Sequence, residues 1–167
     1  PRSQDLYDVS VLTSETTPAP VAPTAADQAN LATLQGYWAA LSKGNVSAAV
    51  PYLDSSVVTT WYGPSSLTPM GGVYNGIAGW QDFIKTALGS VQDFSLVDFE
   101  FNSCVGGHCV ATWREFSYTI NTPPRAVNGL VNVAVYGFSA DAKITEVSVY
   151  VDSLEYAIRF CEQYLRC

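Results

Sequence analysis

Few side chains in this sequence can move a proton, attack a bond or hold a metal, and their spacing limits the chemistry open to them. Glu115 stands in "WREFSY", alternating with Trp113 and Ser117, while Glu100 alternates with Asp98. Alternate residues of a strand share a face, so one of these carboxylates could point inward. Burial would then raise its pKa and suit it to general-acid work, although exposed sheet-face carboxylates are the commoner case. Asp152, in "VYVDSLE", lies where a strand-like run gives way to a helical one. As N-cap, with Glu155 three residues on, it makes an acidic variant of the capping box. The one histidine, His108, sits between glycines and a cysteine in "CVGGHC" and reads as an exposed turn residue.

The four cysteines form two close pairs, Cys104/Cys109 and Cys161/Cys167. "CVGGHC" places a cysteine on each side of a short turn, so a bridge between Cys104 and Cys109 across a hairpin needs little backbone movement. Cys161 and Cys167 fall on a helical segment that turns them to different sides, and they pair only if that helix ends before Leu165. A zinc site built from all four with His108 would need different spacing, so no metal is expected. A disulfide implies an oxidising compartment, such as an organelle lumen or the cell exterior. "NVS" at Asn45 is a glycosylation acceptor by pattern, a triplet common by chance.

These residues must be positioned by the rest of the chain. Its 167 residues are 48% hydrophobic, 13% aromatic and 14% charged, a composition that supports one globular domain with a real core. A net charge of -7 and a pI near 4.4 leave few cations to neutralise phosphates, which argues against nucleic acid and anionic membrane surfaces. No apolar run approaches the roughly 18 residues needed to span a bilayer. The sequence starts at Pro1 with neither an initiating Met nor a signal peptide, so a processed mature chain and a trimmed one are both expected readings.

Residues 1–25, with "SETTPAPVAPTAAD", read as a proline-rich arm outside the core, able to dock on the domain or on a partner. The domain is expected over 26–167. Leu31, Leu34, Trp38 and Leu41 recur at helical spacing, with Gly44 as a stop. "VSAAVPYL" gives a short second helix that Pro51 interrupts, and "SSVVTTWYG" a strand. In "GGVYNGIAGWQDFI" the glycines lead into a helix whose apolar face is Trp80, Phe83, Ile84, Ala87 and Leu88. A phosphate loop would want Lys or Ser/Thr after the glycines, where Trp-Gln-Asp stands instead, so the stretch reads as a hinge. Strands follow at 94–102, 110–120, 130–139 and 144–151, then a helix at 153–165. Hairpin-length turns between strands imply an antiparallel sheet with helices on one face, an α+β cone with an interior pocket.

The stretches "YWAALSKGNVSAAVPYLDSSVVTTWYGP", "GVYNGIAGWQDFI" and "KITEVSVYVDSLEYA" resemble the SnoaL-like branch of the NTF2-like superfamily, whose cone-shaped fold includes ketosteroid isomerase and limonene epoxide hydrolase. The resemblance covers about 28–160 and includes no catalytic signature. It implies a base deep in the cone near the end of the first strand, at or near Thr60, where a hydroxyl cannot act as a base unaided. The epoxide-hydrolase set needs Asp-Arg-Asp, and Arg114 lacks the matching aspartate two residues later. Some members carry a catalytic aspartate where Asp152 stands, which makes Asp152 and Glu115 the catalytic candidates.

Aromatic residues are the other constellation, with Tyr37, Trp38, Trp61, Tyr74, Trp80, Trp113 and Tyr136 the expected ligand-pocket residues. Such a lining suits a flat or polycyclic ligand. The favoured function is a non-catalytic, cofactor-free module that binds a hydrophobic small molecule or docks through its arm in a larger assembly, homodimerisation being open. The alternative is a cofactor-free acid–base enzyme: an isomerase, cyclase, dehydratase or hydrolase acting on a polycyclic or polyketide-like substrate.

Overall fold

The computed structural model describes residues 22–63, 69–119 and 126–151. The arm up to residue 21, Asp152, the expected final helix, and Cys161 with Cys167 lie outside these. Helix α1, Ala25–Leu41, starts from Thr24, whose side chain accepts from the Asp27 N–H at 3.1 Å while the Asp27 carboxylate accepts from the Thr24 N–H at 2.9 Å. This capping box satisfies helix N–H groups that have no intrahelical partner. The buried stripe of α1 is Asp27, Asn30, Leu34 and Tyr37, one position round from the expected face. Leu31, Trp38 and Leu41 border it, half-buried. Polar residues can enter the stripe because Asp27 meets backbone N–H groups of Gly106 and Gly107, which help hold its carboxyl below the usual range after the larger effect of Thr24.

A short helix α2, Val46–Ala49, runs into a 3-10 turn, Val50–Tyr52, containing Pro51. Strand β1, Leu53–Tyr62, follows, and then β2, Gly72–Asn75, an edge strand where the sequence pattern predicts only loop. Helix α3, Gly76–Gly89, begins directly after it. Gly76 has φ +67, a left-handed conformation that lets the chain turn sharply from strand to helix. The glycine stretch is therefore a strand-to-helix hinge, with Trp80 and Phe83 the buried residues of α3.

The long strands are β3, Val91–Val105, β4, His108–Thr119, β5, Ala126–Phe138, and β6, Ile144–Val151. They form one six-stranded sheet in the order β2-β1-β6-β5-β4-β3. Four pairings are antiparallel, three of them (β3–β4, β4–β5 and β5–β6) as the hairpin-length turns imply and the fourth the unexpected β1–β2 pair, but β1 and β6 pair in parallel. No hairpin joins those two strands, so turn geometry does not impose the antiparallel direction on them. The fold is α+β with a mixed sheet.

Register breaks bend this sheet. Asp93 and Asp98, with φ 52 and 50, sit at irregularities in β3. Glu115 pairs with Leu130 and Phe116 with Asn128, which leaves Gly129, at φ 68, as the extra residue of a bulge. A left-handed glycine at such a site bends the strand and increases its twist. The bend falls beside Glu115. The disulfide Cys104–Cys109 closes the β3–β4 hairpin from directly opposed positions, with Cα atoms 4.0 Å apart.

Candidate functional site

On the concave side of the sheet, a cavity of about 570 Å³ lies between strands and helices. Strand alternation supplies its floor. On β1 the buried positions are Leu53, Val57, Thr59 and Trp61, so Thr60, at or near the expected base position, points to the opposite face. In a strand one residue reverses the face, so of the positions at or near Thr60 it is Thr59 and Trp61 that turn inward. Trp61 lines the cavity, as do Val147 and Val149 of β6. From β4 come Trp113 and Glu115, and from β5 Asn132 and Tyr136. The lid is Tyr37, Trp38 and Leu41 of α1 with Phe83, Ile84, Ala87 and Leu88 of α3. Exposed Ser42, Gly44, Leu88 and Ser95 mark the rim, whereas Glu115 (4% exposed) and Asn132 (0%) lie at depth.

Two tryptophan–tyrosine pairs tie α1 to the sheet and α3 to α1. Trp38 Nε1 on α1 donates to the Tyr136 hydroxyl on β5 at 3.0 Å. Trp80 Nε1 on α3 donates to the Tyr37 hydroxyl on α1, also at 3.0 Å. Trp38 further packs on Trp113 and Phe99, with ring centroids 5.0 and 4.6 Å away. Burial pushes the Tyr37 phenol well up, against a smaller lowering by the Trp80 indole. Tyr136 is likewise raised, first by burial and then by Tyr37, with the Trp38 bond opposing. Both tyrosines therefore stay protonated at neutral pH and act as hydrogen-bonding hydroxyls rather than bases.

Of the expected pocket residues, Tyr37, Trp38, Trp61, Trp113 and Tyr136 line this cavity. Trp80 does not: it is fully buried behind Tyr37 and serves the core. Tyr74 does not line it either; its hydroxyl donates to the Met70 carbonyl at 3.1 Å and its ring packs on Phe83. Arg114 lies on the outer face with an exposed ion pair to Asp98 at 3.6 Å, so it offers nothing to the cavity. His108 is exposed at the hairpin turn. Asp152 lies outside the described residues. Asn132 is absent from the expected set, although it stands in period two with Leu130, Ala134 and Tyr136 inside a β5 run rich in apolar residues.

Among the described residues, Glu115 carries the only carboxyl on the cavity wall, and no cluster of His, Cys, Asp or Glu able to hold a metal occurs. No helix among them is long and apolar enough to cross a membrane. What the arrangement offers is an aromatic slot with a carboxyl, an amide and a phenol at its base.

A bent sheet with helices laid across its concave side and a cavity between them is the NTF2-like fold, in the form seen in SnoaL-like proteins. An NTF2-like protein of unknown function from Burkholderia pseudomallei K96243 superposes with TM-score 0.69 at 18% identity, covering 79% of this chain and 97% of that one. TerC, crystallised with polyporic acid, gives TM-score 0.68 at 16% identity, with 79% and 98% coverage. A candidate SnoaL-like polyketide cyclase from Jannaschia sp. CCS1 gives 0.67 at 14%, with 84% and 97% coverage. At these identities the likeness is one of fold. No family model matches the sequence, and no curated protein does.

Proposed function

We propose that this chain binds a flat, hydrophobic small molecule in the cavity of its cone, as a binding module. The observation that carries the reading is the wall itself, where Tyr37, Trp38, Trp61, Trp113 and Tyr136 surround about 570 Å³. That volume falls within the roughly 300–1,000 Å³ typical of small-molecule sites, and aromatic faces with few polar groups suit a planar ligand. The described wall has a single carboxyl and no histidine with which to exchange a proton, which favours binding over turnover. TerC, similar in fold, was crystallised with polyporic acid, so that compound is the first probe. In a titration followed by NMR, the indole N–H signals of Trp38, Trp61 and Trp113 should shift and saturate. Trp80, hidden behind Tyr37, should move least. Trp113→Ala should weaken binding about tenfold or more, in line with loss of a large aromatic anchor. Saturating shifts confined to the outer face of the sheet would defeat the reading.

One observation favours a second reading. Glu115 is buried in the same cavity as Asn132 and Tyr136, where a carboxyl can give or take a proton next to a bound ligand. That would make the chain a cofactor-free acid–base enzyme of the isomerase, cyclase, dehydratase or hydrolase kind. Turnover of a polycyclic probe, abolished in Glu115→Gln while the probe still binds, would move the assignment from binding to catalysis.

A further inference from the structure

Asn132 is fully buried on the cavity wall, and its amide has only one of its two ends satisfied. Nδ2 donates to the Leu130 carbonyl at 3.2 Å, whereas Oδ1 has no hydrogen-bond partner among the described residues. The orientation is set chemically. Turning the amide over would bring its oxygen against the Leu130 carbonyl oxygen, two acceptors with no proton between them. So the group left to the cavity is an acceptor. A buried acceptor without a donor is costly, and native proteins rarely keep one without a reason.

The surroundings narrow what can satisfy it. Asn132 pairs across the strands with Trp113, and Glu115 stands one alternate position along β4, on the same face. An anionic ligand head would bring a second acidic group beside this buried carboxyl, away from water. A tertiary amide or an ether would present no hydrogen. We infer that the ligand has no anionic head and carries a hydroxyl or N–H that donates to Asn132 Oδ1, which makes Asn132 the residue that selects among hydrophobes of similar shape. This rests on the reading that the cavity binds a flat hydrophobe, and it adds which polar group such a molecule must bear.

Three probes of nearly equal shape separate the possibilities: 2-naphthol, its methyl ether 2-methoxynaphthalene, and the anion 2-naphthoate. Affinities for the wild-type chain are measured by NMR titration on the Trp113 indole signal. Wild type should bind 2-naphthol about tenfold or more tightly than the ether, and 2-naphthoate more weakly than either. In Asn132→Leu the preference for the hydroxyl should vanish, with the ether binding at least as well as before. The wild-type comparison stands by itself if that variant does not fold. Equal affinity for 2-naphthol and the ether, tight binding of 2-naphthoate, or a hydroxyl preference kept in Asn132→Leu would each overturn the inference while leaving the cavity a binding site. Failure of all three probes to bind would remove the binding reading and this inference with it.

Discussion

If Trp38 and Tyr136 tie α1 to β5 through their 3.0 Å hydrogen bond, the two side chains should be energetically coupled, and a double-mutant cycle measures the coupling directly. Trp38→Phe leaves the Tyr136 hydroxyl, 1% exposed, without its donor. An unsatisfied buried hydroxyl costs about 1–3 kcal/mol, to which the variant adds lost packing on Phe99 and Trp113. Tyr136→Phe removes the hydroxyl and strands the Trp38 Nε1–H, which is less costly because Trp38 is only half-buried and water can reach it. We expect about 1 kcal/mol from that change. The double variant loses the packing once and leaves neither group unpaired, so it should be more stable than the sum of the single effects predicts by about 1 kcal/mol or more. That exceeds the roughly 0.3–0.5 kcal/mol scatter of additive pairs. Urea unfolding followed by far-UV circular dichroism suits the measurement, since tryptophan fluorescence changes with the mutation itself. Additivity within about 0.5 kcal/mol would refute the argument that this bond helps hold the helix over the cavity.

Two further outcomes follow from the same geometry. Breaking Cys104–Cys109, by reduction or by Cys104→Ala with Cys109→Ala, should cost about 2 kcal/mol by loop entropy for so short a ring, a melting decrease of roughly 4–8 °C for a chain of this length; an unchanged melting temperature on reduction would show that the β3–β4 pairing alone fixes the hairpin. The Asp27 carboxyl is held below its ordinary 3.8 in the folded chain, so its contribution to stability is present above that pH and is lost as pH falls through the lower folded value; the stability gap between wild type and Asp27→Asn, measured by denaturant titration, should therefore be constant near neutrality and shrink below about pH 3.8.

How far the site can be read from the sequence depends on which physical rule decides each residue. Alternation is local, so the order of residues in "WREFSY" is enough to place Glu115 and Trp113 on one face, and helical spacing does the same for Trp38 and Leu41. Two kinds of information are not local. One is register: Thr60 and Thr59 are equivalent in composition, and the face each takes is fixed by the pairing of β1 with β2 and β6, the latter parallel and set by no turn. The short edge strand Gly72–Asn75 is illegible for a related reason, since its four residues become a strand only by pairing with β1. The other is which side of a packed aromatic faces empty space. Trp38 and Trp80 both lie on apolar helix faces and both donate to a tyrosine hydroxyl, yet one borders the cavity and the other is sealed behind Tyr37. Asn132 shows where a local rule does reach the site. Alternation puts this amide at an inward period-two position between Leu130 and Ala134, but that only one of its ends is satisfied, the premise of the ligand proposal, is read from the folded strand and not from the sequence.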